Sequence, residues 1–221
     1  MKKLEAQLPA TQSTEPPSSG RASGLDAATL SAGLKDALRV GAERAVAQLS
    51  ATDGFLANPK VHIPLPATIA QASTLLDRFG LGALAEQLEV RMNPAAEQAA
   101  PAAATHLKNA LEGMTIDDAR RIFEGPTDAA TRYFEAKSAD RIGNDFRPII
   151  QDAMDQVGVS RYYQQLVAAA KRYPLVGSLN LDLQQHATQA AVDGLFSTLG
   201  GCPRMATVAR ARLIERDFSV V

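Results

Sequence analysis

Leucine, alanine and other apolar residues recur at three- and four-residue spacing along most of this chain, and the recurrence stops only at prolines and glycines. That period belongs to helices with one buried face. Leu30, Leu34, Leu38, Ala45 and Leu49 carry it first, with Lys35, Asp36, Arg39, Glu43 and Arg44 between them. They predict a helix over 26–51 with Asp26 as its N-cap. Aromatic residues make up only 5% of the 221 residues and Trp is absent. Frequent alanine with few rings favours helices packed through small side chains over a sheet. The expected fold class is all-α, a single helical domain of about seven helices over 25–200.

One stretch breaks the rhythm: TDGFLANPKVHIPLP, residues 52–66. Asp53-Gly54 suits a helix end, because Gly tolerates the left-handed conformation such an end often takes. Asn58 precedes a proline and is pushed out of the helical region. Val61, Ile63 and Leu65 then alternate with Lys60, His62 and Pro64, the period of a short extended segment. Pro64 and Pro66 cannot donate to a ladder, so a strand here belongs at an edge. Residues 178–183 (SLNLDL) alternate likewise, and the expectation is at most one short two-stranded ribbon pairing 61–65 with 178–183.

Helices are further expected over 67–79, over 83–113 with interruptions at Pro94 and Pro101, and from Thr115-Ile116-Asp117-Asp118 to Glu124. Thr127-Asp128 should open another, bent near Gly143 and bent or restarted at Pro148. Ser160 should cap a helix ended by Pro174, and a last helix should run over 183–199. Residues 1–24 are dominated by Pro, Ser, Thr and Gly from position 9 onward, which predicts a disordered leader. The two lysines after Met1 are followed by no apolar stretch, so no export signal is expected in the chain as written.

Several function classes fall away on these residues. A formal charge of −1 offers no field for nucleic acid. No run approaches the roughly 18 apolar residues of a membrane span. The single cysteine, Cys202, can form neither an internal disulfide nor a cysteine zinc site. None of His62, His106 and His186 has a second His or Cys within one helical turn, so neither a metal nor a cofactor is expected. No phosphate-cradling glycine loop or nucleophile elbow is present. Two polar clusters remain as binding candidates: Asp128, Thr131, Arg132 and Tyr133, and Arg161 with Tyr162. Arginine supplies fixed donors and tyrosine a ring with a hydroxyl, which suits a binding cleft and suits interhelical hydrogen bonds as well.

Read in order, Gly33-Leu34-Lys35-Asp36-Ala37-Leu38, Thr52-Asp53-Gly54-Phe55, Ile63-Pro64-Leu65-Pro66, Leu81-Gly82-Ala83-Leu84, Met92-Asn93, Tyr133-Phe134, Val157-Gly158-Val159, Arg161-Tyr162-Tyr163, Pro174-Leu175-Val176-Gly177 and Asp193-Gly194-Leu195-Phe196 resemble the bacterial family called domain of unknown function 4197. The resemblance spans about 25–200. It implies a mainly helical protein of the cell envelope or periplasm, carries over no catalytic residue, and makes residues 52–66 part of the domain. The chain departs from the family's pattern at Pro94, and after Leu199 in a divergent tail over 201–221. The expected function is a non-enzymatic envelope module that binds an envelope protein or a small ligand. The alternative is a hydrolase using Asp118, Asp128 or Glu135 as acid and base; it would need at least two of Asp118, Asp128, Arg132, Tyr133, Arg161 and Tyr162 to converge in one pocket.

Overall fold

Thr115 shows how closely local chemistry sets the helix ends. Its hydroxyl accepts from the Asp118 N–H at 3.1 Å while the Asp118 carboxylate takes the Thr115 N–H at 3.1 Å, a reciprocal capping box. Asp182 caps similarly, accepting from the Gln185 N–H at 2.8 Å.

A computed structural model describes residues 27–170 and 182–201. In it the helices are α1 (Ala27–Ser50), α2 (Ala67–Arg78), α3 (Gly82–Ala99), α4 (Ala103–Glu112), α5 (Ile116–Glu124), α6 (Ala129–Gln156), α7 (Val159–Ala170) and α8 (Leu183–Gly200). The interruption expected at Pro101 is a single 3-10 turn, Ala100–Ala102, which divides the 83–113 region. Pro94 and Pro148 do not break their helices. Both sit inside α3 and α6, whose neighbouring turns are held by buried packing strong enough to absorb one lost hydrogen bond. Ser160 is likewise not an N-cap. It lies one residue inside α7, and its hydroxyl donates to Asp155 Oδ1 at 2.6 Å, tying the end of α6 to the start of α7.

The core gathers on α6, where Phe134, Ile142, Phe146 and Ile150 are completely buried. α8 and α3 pack most extensively against it. The pairing of α6 with α8 is antiparallel: Gly143 faces Val192, the Arg147 carbonyl accepts from Gln184 Nε2, and Thr131 faces Gly200. α3 contributes Leu88, Met92, Ala95, Ala96 and Ala99 to the same core, and its alanines let the neighbouring helices approach closely.

No strand occurs among the described residues. Residues 61–65 do not form the expected ribbon. Residues 178–181 of its other arm lie outside the described residues, and Leu183 is helical. The segment is an extended wall laid against α3 and α8, with Val61 and Ile63 buried and Leu65 half-buried. The helix end before it also differs from expectation. The left-handed residue is Asp53, at φ +61°, and Gly54 serves a different need. A Cβ at Gly54 would meet the carbonyl oxygens of Gln48 and Leu49 at 2.5 and 2.7 Å.

Candidate functional site

The wall is held by a row of polar side chains on α3. Glu89, Asn93 and Glu97 stand four residues apart and so share one helix face. Asn93 is fully buried: its Oδ1 accepts from the Ile63 N–H at 2.8 Å, and its Nδ2 donates to the Ile63 carbonyl at 3.0 Å. Glu97 is 8% exposed, and its Oε1 accepts from the N–H groups of Phe55 and Leu56 at 3.1 and 3.3 Å. These polar residues satisfy a buried backbone that has no ladder of its own. His62 Nδ1 lies 2.9 Å from the Leu56 carbonyl and its Nε2 lies 2.8 Å from Glu89 Oε1. Both ring nitrogens face oxygen acceptors, which fixes the plane of the ring between the wall and α3. From the other side, His186 Nε2 donates to the Pro64 carbonyl at 2.8 Å, and Phe55 and Val61 press on Gly194 of α8.

Outside that row, the six residues named from sequence divide into two groups. Asp128, Thr131, Arg132 and Tyr133 gather at the start of α6. There Arg132 Nη2 pairs with Asp128 Oδ2 at 2.7 Å on the surface, while Asp128 Oδ1 is enclosed with no partner among the described residues. The Tyr133 hydroxyl donates to the Ala110 carbonyl of α4 at 2.8 Å. Burial holds that hydroxyl above its ordinary pKa, and the neighbouring Asp118 carboxylate adds to the effect. Thr131 lies against Gly200. Arg161 and Tyr162 sit on α7, beyond the far end of α6. The 28 residues of α6 measure about 40 Å, which separates the groups by the length of the domain. Arg161 is exposed. Tyr162 is engaged: the Arg91 guanidinium lies 4.7 Å above its ring centre, donates to its hydroxyl at 3.3 Å, and donates to the Val157 carbonyl at 2.8 Å.

Among the described residues, surface clefts of about 380 to 480 Å³ lie between helices, and none of the six lines these. Neither do Asp118 and Glu135. Asp118 is committed to the Thr115 capping box, whose hydroxyl and N–H hold its carboxyl below the ordinary carboxylate range. Sequence reasoning passed over the cleft of about 460 Å³ beside the wall, lined by His62, Glu89, Glu86, Asp77, Leu56 and Leu65. Local spacing around His62 gives no sign of it, because its partner Glu89 is 27 residues away. No group of three or more His, Cys, Asp or Glu among the described residues is placed to hold a metal ion. Val90 and Ile116 are the large apolar side chains left exposed among them, and no described helix is long and apolar enough to cross a membrane.

A family model described as "Protein of unknown function (DUF4197)" matches residues 24–201. The chain belongs to this family. The match covers the whole helical domain and includes the wall segment, so residues 52–66 are an integral part of the family's domain. No curated protein and no solved structure matches the chain.

Proposed function

We propose that this DUF4197 member is a non-enzymatic binding module of the bacterial cell envelope. The observation that carries the reading is the fate of the acid–base candidates. Asp118 is spent on a helix cap, Asp128 is paired with Arg132 on the surface, Glu135 is exposed on α6, and none of the three lines a described cleft. A hydrolase needs two such groups across one substrate. The envelope placement and the bacterial source rest on the family's pattern of motifs. The two groups at the ends of α6, Asp128 to Tyr133 and Arg161 with Tyr162, serve in this reading as separate contact faces.

The test is a thermal-shift screen of the full chain against peptidoglycan fragments, lipids, peptides and divalent metals, with mass spectrometry of each mixture. A ligand held by the native state alone adds about 2.7 kcal/mol at a hundredfold excess over its dissociation constant. The expected outcome is stabilisation with the ligand recovered intact. Conversion of a ligand, lost in Asp118→Asn, Asp128→Asn or Glu135→Gln, would establish the hydrolase instead.

A further inference from the structure

A polar cleft of about 480 Å³ lies between α6 and α8. Its α6 wall is a single stripe at helical spacing, Asp140, Gly143, Asn144 and Arg147, and α8 brings Gln185, Thr188 and Gln189 opposite. Three features there are unexplained by the fold. Thr188 is only 6% exposed, yet its hydroxyl has no hydrogen-bond partner among the described residues. That oxygen is itself enclosed, so it is an uncompensated cost carried by this wall of the cleft and no contact for a ligand within it. Gly143 sits mid-helix, where glycine costs about 1 kcal/mol relative to alanine. Packing does not demand it, because a Cβ there would meet only Val192 Cγ2 at 3.9 Å. What its missing side chain keeps open is the cleft. Lastly, Asp140 and Arg147 are exposed and form no ion pair with another described residue, unlike Asp128 with Arg132 on the same helix.

We propose that this cleft binds a short zwitterionic peptide of about three residues, a reading that rests on the binding-module function and names its ligand. Asp140 and Arg147 stand seven residues apart on one helix face, about 10 Å along the axis. A three-residue extended peptide spans about 10 Å as well. Asp140 takes the terminal ammonium and Arg147 the terminal carboxylate, the latter through its planar donor fork. Between them, Asn144 and Gln185, whose side chains bond no other described residue, face the peptide units. The molecule already shows this chemistry once, where the helix-borne carboxamide of Asn93 holds the N–H and the carbonyl of the extended Ile63. The volume is within the range of small-molecule sites. No aromatic ring lines the cleft to stack a sugar, which favours the peptide over a glycan.

The experiment is isothermal titration of the full chain with trialanine, with N-acetyl-trialanine amide and with chitotriose. Trialanine should bind, and blocking both termini should weaken it by about tenfold or more, the loss of charge-assisted contacts. Arg147→Gln and Asp140→Asn should each weaken trialanine about tenfold without moving the melting temperature of the free chain, since both side chains are exposed. Equal binding of the blocked peptide, binding unchanged in both variants, or binding of chitotriose alone overturns the proposal. A silent titration beside a positive ligand elsewhere in the screen overturns the peptide site and leaves the binding-module function standing. Trialanine that binds and is cleaved overturns the non-enzymatic function and leaves the site.

Discussion

Asn93 grips Ile63 by both of its backbone polar atoms, at 2.8 Å to the N–H and 3.0 Å to the carbonyl, and both residues are completely buried. One side-chain amide thus does for the wall what a neighbouring strand would do. Asn93→Leu removes the partner of two buried groups, each costing about 1–3 kcal/mol when unsatisfied. The variant should lose roughly 2–5 kcal/mol in urea unfolding. A loss below about 0.5 kcal/mol would mean that water reaches Ile63 and the grip is incidental.

Ile63 also tests whether the wall belongs to the cooperative unit. Its side chain meets the core from a segment with no regular structure. Ile63→Asp places an unpaired charge there and should cost about 3–5 kcal/mol, while Ile63→Val should cost about 1 kcal/mol. An Asp variant with an unchanged melting curve would show the wall peeling away without unfolding the helices.

Two mid-helix glycines should respond in opposite directions to alanine. At Gly194 the new Cβ would lie 2.9 Å from Phe55 Cε1, and Phe55 is fully buried and has no room to retreat. Gly194→Ala should therefore destabilise, the overpacking cost of about 1–3 kcal/mol exceeding the helix gain. At Gly143 the nearest atom is 3.9 Å away, so Gly143→Ala should stabilise by up to about 1 kcal/mol. Thermal denaturation of the two variants side by side decides it, and shifts of the same sign would refute the packing assigned to Phe55.

Acid should unfold the protein partly through two helix-end carboxylates. Asp118 is held below the ordinary range chiefly by the Thr115 hydroxyl, and Asp155 chiefly by the Ser160 hydroxyl and then by Gln151. A depressed folded-state pKa contributes stability that is present above the unfolded value of about 3.9 and is lost as pH falls through the lower folded value. Thr115→Ala abolishes the largest cause at Asp118. The variant should be less stable than the parent at pH 7, and the gap should narrow toward pH 2. A gap constant across that range would show that Thr115 acts only through the Asp118 N–H it also caps.

Much of the helix layout was legible because helix ends are local events. The Thr115 box and the Gly200-Gly201 pair at the end of α8 placed boundaries to within a residue or two, since each signal and its effect lie within one turn of chain. Pro94 and Pro148 misled for the same reason. A proline's cost is local and readable, whereas the packing that outweighs it comes from residues distant in sequence. That misreading carries over to the site. Had α6 broken at Pro148, the 128–133 and 161–162 groups could have folded toward each other; because it runs unbroken, they stand at opposite ends of the domain.

The sequence by itself determined the all-α class, the helix periodicity and the Thr115 cap, all of them consequences of neighbours along the chain. Only the tertiary structure decided that Asn93 and Glu97 are buried. They face inward because the wall, some 30 to 40 residues earlier, brings backbone groups that need them. The α6–α8 cleft was decided there too, since it exists only where two antiparallel helices set Gly143 against Val192.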